Sequence, residues 1–219
     1  MRDTVKNIDA AIFDLDGTLF DSVEMWHEID EVFLRRRGLS PTTEYRRAIV
    51  ALGFTATAYF TVDYYKLKDT PEQLMDEWSE MARERYAHTV PLLAGAREYI
   101  GECENAGIKI SAVTSLCAEF ANSCLKNNGI DDKFAHVFTA DDTGFAKTSP
   151  DIYLHAARVL GVKPEKCVVY DDAAAAIAAA KRAGMTTVAM LGPLFDAEAF
   201  GGNADYIAEN LFGAPRLKK

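Results

Sequence analysis

Ala10-Ala11-Ile12-Phe13 is a short apolar run with no polar interruption, and it ends in Asp14-Leu15-Asp16-Gly17-Thr18. Apolar residues at every position, rather than at alternate ones, predict a strand buried on both faces. Such strands belong to parallel sheets covered by helices, where ligands bind beyond the carboxyl ends of the strands. Asp14 and Asp16 fall at that edge. If the extended conformation persists, Leu15 points away and the two carboxylates share a side. Gly17 then lets the backbone turn back without steric cost. On these residues alone two readings stand: acids that merely end a strand, or acids that carry chemistry.

The rest of the chain tells which architecture surrounds that strand. After Thr18 the strand pattern stops for about seventy residues, and the segment reads as helical. Val23, Trp26, Ile29 and Phe33 recur at helical spacing up to Gly38, and Ser40-Pro41 opens a second helix. The aromatics Phe54, Tyr59, Phe60, Tyr64 and Tyr65 follow the break at Gly53 and read as core of this segment. Thr70-Pro71-Glu72-Gln73 is a helix opening with a capping box, and the helix runs to about His88. From Pro91 strands and helices alternate. Helices are expected over about 96–105, 119–127, 150–160 and 173–183, with strands at 108–113, 137–139, 167–170 and 186–190. Tyr206-Ile207 reads as a short edge strand, and Asp141 to Lys147 and Gly192 to Asn203 read as loops. This alternation predicts an α/β fold, a doubly wound parallel sheet of Rossmann type. The domain reading is an α/β core of residues 1–18 and 89–219 with an inserted all-helical cap of residues 19–88. An insertion directly after the Asp14 strand overhangs the carboxyl edge of the sheet, where it would serve as a lid.

Composition excludes several partners. A net charge of −9 and a pI near 5.0 argue against nucleic acid or anionic membranes as partners, since those need basic patches. No apolar run approaches the roughly 20 residues of a membrane span. The start, Met1 to Asn7, is polar and has no signal-peptide apolar core. Cys103, Cys117, Cys124 and Cys167 show neither zinc spacing nor a paired C-x-x-C, so they read as buried thiols. Together these features point to a cytoplasmic protein; a monomer or weak dimer is the expectation, though no sequence feature sets the oligomeric state. His27, His88, His136 and His155 are scattered without ligand spacing.

Asp14-Leu15-Asp16-Gly17-Thr18 resembles the D-x-D-G-T motif of the haloacid-dehalogenase-like phosphohydrolases, and three further motifs match in order. Ser111-Ala112-Val113-Thr114-Ser115 is a strand ending in hydroxyls, and Thr114 matches the family's phosphate-binding position. A strand-end hydroxyl also commonly caps its own backbone. Lys147-Thr148-Ser149-Pro150-Asp151-Ile152-Tyr153 is similar to K-P-x-P-D-I-Y, with Thr148 in place of the first proline. Val169-Tyr170-Asp171-Asp172-Ala173 is similar to the family's strand ending in E-D-S or G-D-S, with Ala173 replacing the serine. The acids there also suit the start of the following helix, and both roles can coexist.

The resemblance implies a division of labour. Asp14 is the nucleophile that forms an aspartyl-phosphate, and Asp16 is the acid and base. Thr114, Ser115 and Lys147 bind the phosphoryl group. Mg²⁺ is held by Asp14, Asp172, the Asp16 carbonyl and Asp171, directly or through water. The partner is a small phosphorylated substrate. Asp16 separates the chain from dehalogenases and phosphonatases, which lack the second acid of the first motif. A beta-phosphoglucomutase-like sugar phosphomutase is the alternative. That subgroup has a histidine where this chain has Trp26 and a basic residue in the cap loop, while Ala51-Leu52-Gly53-Phe54-Thr55 is uncharged. Glu24 and Trp26 are candidates to face a substrate from the cap. A non-catalytic binding module would have lost one of Asp14, Asp16, Lys147 or Asp172, and all four are present.

Overall fold

The computed structural model describes residues 2–49, 52, 54–191 and 197–219. The break at Gly53, Ala51 of the cap loop and the start of the loop after Leu191 lie outside the described residues. Along the chain the elements are β1 (Thr4–Val5), β2 (Ala10–Phe13), α1 (Val23–Arg36), α2 (Thr43–Ile49), α3 (Phe54–Tyr65), α4 (Pro71–His88), α5 (Ala96–Asn105) and β3 (Lys109–Thr114). They continue with α6 (Ala118–Asn127), β4 (Phe134–Thr139), α7 (Ala140–Thr143), α8 (Pro150–Leu160), β5 (Cys167–Asp171), α9 (Ala174–Arg182), β6 (Thr186–Met190), β7 (Tyr206–Ala208) and β8 (Arg216–Leu217). Two compact units result: the segment up to Ser22 with everything from Val90, and the segment Val23–Thr89.

In the first unit six strands form one sheet in the order β4-β3-β2-β5-β6-β7, and every pairing is parallel. The strand with the apolar run sits in the middle. Phe13 lies level with Ala112 of β3 on one side and Tyr170 of β5 on the other. The chain leaves β2 toward β3 and β4, then returns past it to β5. The carboxyl ends of β2 and β5 therefore flank the point where the winding reverses, the place where open α/β sheets bind ligands.

Burial on both faces explains the composition of β2, whose four residues are fully buried. Ala10 and Ile12 pack with Cys167 and Val169 beneath α8 and α9, among Ile152, Ala156 and Ala180. Phe13, pointing the other way, stacks on Tyr170 at 4.6 Å between centroids and meets Tyr99 of α5 edge-on at 6.2 Å. The alanines of α9 are packing residues. Ala176, Ala179 and Ala180 are buried, so the helix can lie close to the sheet. Helix α8 begins where Ser149 accepts from the Asp151 N–H and Pro150 fixes the first turn; it ends at Gly161, in the left-handed region.

Three details differ from the sequence expectation. The first and last strands, β1 and β8, pair in a separate two-stranded sheet. The acidic stretch after β4 contains a helical turn, because Thr139 caps the Asp142 N–H and Gly144 closes it. Helix α2 starts at Thr43 rather than at Pro41, since the Thr42 hydroxyl accepts from the Tyr45 N–H at 3.1 Å.

The described residues of the second unit form four helices, and Ile29 and Phe33 of α1 with Leu74, Trp78, Ala82 and Tyr86 of α4 are buried. The capping box at Thr70 and Gln73 forms with both hydrogen bonds in place. Arg37 ties the end of α1 to the start of α4: it grips Asp69 through two nitrogens, bonds Glu77, and stacks over Phe33 at 3.7 Å. The aromatic group divides. Phe60, Tyr64 and Tyr65 surround the buried Tyr45, whereas Phe54 and Tyr59 are 41% and 55% exposed. Phe54 and Tyr59 therefore stand outside the core expected for all five. Helix α3 is aromatic on more of its surface than it buries.

Tyr45 also donates to the Asp30 carboxylate at 2.8 Å, both groups being buried. Burial raises the Asp30 pKa, and this hydrogen bond opposes the rise. Tyr45→Phe keeps the ring and strands the carboxylate. Urea unfolding should show the variant less stable by about 1–3 kcal/mol. An unchanged midpoint would mean that the hydroxyl supports nothing.

Candidate active site

The ladder between β2 and β5 runs one residue past β2, with the Asp14 N–H donating to the Tyr170 carbonyl at 2.9 Å. Alternation then decides where the acids point. Asp14 follows Ile12, and Asp171 follows Val169, so both carboxylates emerge on the α8 side of the sheet. Like charges on neighbouring strand ends repel, and Lys147 lies between them. Its Nζ is 2.7 Å from Asp14 Oδ1 and 3.0 Å from Asp171 Oδ2. The three side chains are 11%, 5% and 1% exposed, so water screens this triad little. Burial alone would lower the lysine's pKa, but the Asp14 and Asp171 charges outweigh it and hold the ammonium protonated.

Asp172 is the first residue past β5, and its carboxylate belongs to the same cluster. Ligand oxygens of Asp14, Asp171 and Asp172 lie within 4.8 Å of one another. Burial, reinforced by the neighbouring carboxylates and only partly offset by Lys147, pushes the pKa of both Asp171 and Asp172 upward. Three carboxylates against one ammonium leave an excess of two negative charges when all are ionised. Asp171 Oδ1 accepts from the Ala173 N–H at 2.9 Å, whereas Oδ2 has an ionic contact with Lys147 but no aligned hydrogen bond. The donors are all hard oxygens, and opposite ligands of Mg²⁺ stand about 4 Å apart. Charge, donor type and spacing thus fit a divalent cation.

Asp16 sits in the turn that follows β2. The Leu15 carbonyl accepts from the N–H groups of Leu19 and Phe20, each at 2.8 Å, and draws the loop tight. Ser22, itself buried, donates to Asp16 Oδ1 at 2.8 Å and fixes that carboxyl group. Gly17 is needed on two counts. Its φ is +76°, and a Cβ there would stand 2.2 Å from Asp172 Oδ2. Thr114 is buried at the end of β3, where its hydroxyl accepts from the Leu116 N–H at 3.1 Å, and Ser115 beyond it is exposed. Of the two readings for Thr114, the backbone cap is therefore present in this structure. The structure brings Asp14, Asp171, Asp172 and Lys147 together directly. Glu24 is exposed, and Trp26 donates to the Tyr86 hydroxyl at 3.1 Å. Ser22 and the Gly17–Asp172 approach were not evident from the sequence; a serine six residues after an acid has no spacing signature.

A profile described as haloacid dehalogenase-like hydrolase matches residues 11–190. The chain belongs to that family. YhcW of Bacillus subtilis (strain 168), which bears a provisional phosphatase name, is 30% identical over 185 residues, spanning 83% of this chain and 82% of that protein. Hexitol phosphatase B of Escherichia coli (strain K12) is 27% identical over 200 residues, covering 87% and 86%. A Thermotoga maritima protein solved under a provisional beta-phosphoglucomutase name superposes with a TM-score of 0.81 at 24% identity, over 93% of this chain and 95% of that one. That likeness concerns the fold. The described residues contain no helix long and apolar enough to cross a membrane, and the four cysteines are free thiols.

Gly17→Ala should strain the turn and push the Asp172 carboxylate away from the cluster. The expected cost is about 1–3 kcal/mol of stability, and a rise in melting temperature on adding Mg²⁺ is expected for the wild type and not for the variant. A variant that melts and responds to Mg²⁺ like wild type would contradict this geometry.

Proposed function

We propose that this phosphatase of the haloacid dehalogenase-like family hydrolyses small phosphate monoesters through an aspartyl-phosphate on Asp14, with Mg²⁺ as cofactor. The observation that carries the reading is the placement of Asp14. A nearly buried carboxylate stands 2.7 Å from a buried ammonium at the winding reversal of a parallel sheet, and this supports Asp14 as a charged nucleophile fixed in place.

The residues divide the work as follows. An Asp14 oxygen attacks phosphorus, and the bond to the leaving oxygen breaks as Asp16 gives that oxygen its proton. Asp16, now a carboxylate oriented by Ser22, takes a proton from water, which attacks the phosphoryl group. Inorganic phosphate leaves and the Asp14 carboxylate is restored. Lys147 neutralises Asp14 at rest and the phosphoryl oxygens during transfer, while Thr114 and the Ser115 N–H bind those oxygens. Asp14, the Asp16 carbonyl and Asp172 would hold Mg²⁺, with Asp171 engaged chiefly by Lys147 and Ala173. When bound, the ion neutralises phosphate charge and fixes its orientation. Acting as a lid, the inserted helical segment would exclude water during transfer.

Hydrolysis is favoured over phosphomutase chemistry because a mutase must clamp a second phosphate. Neither Trp26 nor the stretch 51–55 offers a cation or imidazole for it. The named hexitol phosphatase relative supports a polyol or sugar phosphate as the substrate class. A non-catalytic role has no support, since all four acid and base positions are present.

Asp14→Asn should abolish phosphate release from every substrate, and chelation of Mg²⁺ should do so reversibly in the wild type. Asp16→Asn should discriminate between leaving groups. A phenol departs without protonation, so an aryl phosphate should give a burst of phenol and then a slow steady state. A sugar phosphate should show neither phase at a measurable rate. Sustained turnover of Asp14→Asn in contamination-free enzyme would leave only direct attack by water.

A further inference from the structure

Tyr153, on the first turns of α8, has a fully buried hydroxyl with no hydrogen-bond partner among the described residues. Phenylalanine would fill the same space without burying a polar atom, so an orphan hydroxyl here needs an explanation beyond packing. Its ring lies in the apolar layer with Ile12 and Val169. Asp14 and Asp171 emerge from the sheet on that same side, two residues further along β2 and β5. After burial, the charges of Asp171, Lys147 and Asp14 are the influences felt by the phenol. In that cluster Asp171 Oδ2 relies on the Lys147 ammonium, 3.0 Å away, and has no aligned hydrogen bond among the described residues. One buried group is a donor without an acceptor. The other is an acceptor without an aligned donor.

We propose that Tyr153 is a positioning residue whose hydroxyl donates to Asp171 Oδ2 when Lys147 turns from the carboxylates to the phosphoryl group. This rests on Asp14 as nucleophile. At rest Lys147 serves both Asp14 and Asp171. Once Asp14 is esterified, its negative charge has moved onto the phosphoryl oxygens, and the ammonium follows it. Asp171 then keeps the Ala173 N–H on Oδ1 and needs a new partner on Oδ2. The Tyr153 O–H is a buried donor without a partner among the described residues, and its ring lies on the side of the sheet from which Asp171 emerges. It keeps Asp171 from swinging away, so Lys147 can return as Asp14 is regenerated. The resting state carries an unpaired hydroxyl so that the intermediate does not carry an unpaired carboxylate.

The test is Tyr153→Phe in the full-length enzyme, assayed with Mg²⁺ and an aryl phosphate. Expected are a kcat about tenfold lower, the loss of one hydrogen bond to a charged group, an unchanged KM, and a melting temperature equal to or above wild type. In an Asp171→Asn background the same substitution should change kcat little further, because the acceptor charge is gone. A kcat like wild type, a melting temperature that falls along with kcat, or effects that simply add in the double variant would each overturn the proposal. A wild-type enzyme without turnover on any phosphate ester would instead refute the nucleophile reading itself.

Discussion

The contact on which the site depends is the ammonium of Lys147 set between Asp14 and Asp171. Two adjacent strands of a parallel sheet end in carboxylates on the same side, an arrangement that repulsion and burial both oppose. A single lysine, brought in by the loop before α8, neutralises one charge and touches both acids. It stays protonated because the attraction of two carboxylates exceeds the cost of burying it. The remaining negative charge, shared with Asp172, matches a divalent cation and the phosphate it would orient. An acidic protein can thereby present a phosphate site without a basic surface.

The fold supplies this geometry through strand alternation and one tight turn. The register of β2 against β3 and β5 sets which residues share a face, and the direction of Asp14 follows that of the packed Ile12. The turn after it brings Gly17 so close to Asp172 that no side chain fits between them. The same compactness leaves the Tyr153 hydroxyl without a hydrogen-bond partner among the described residues, and Asp171 Oδ2 with the Lys147 ammonium beside it. Sites of this kind sacrifice local stability for charges held in place.

Much of this was legible in the sequence because strong local signals agree with the tertiary structure. The uninterrupted apolar run of β2, the Thr70–Gln73 capping box and the Ser149-Pro150 start of α8 each have one dominant physical cause, and each formed as expected. Strands β1 and β8 were hidden because two residues make no pattern; their pairing arises from ends of the chain far apart in sequence. The α3 aromatics looked like core because hydrophobicity does not report which side a helix buries. For the site, the order of motifs pointed to Asp14, Asp171, Asp172 and Lys147, and the structure draws those four together. Contacts of side chain on side chain, such as Ser22 on Asp16, have no signature in spacing and emerge only from coordinates.

The central claim, covalent catalysis at Asp14, is tested most directly by mass spectrometry of enzyme quenched in acid during turnover with Mg²⁺. The account predicts a single added phosphoryl group on the peptide that carries Asp14, labile to base and absent when substrate is omitted. Brisk phosphate release, with that peptide unmodified at every quench time and in slow variants such as Asp16→Asn, would contradict it and make water the direct nucleophile.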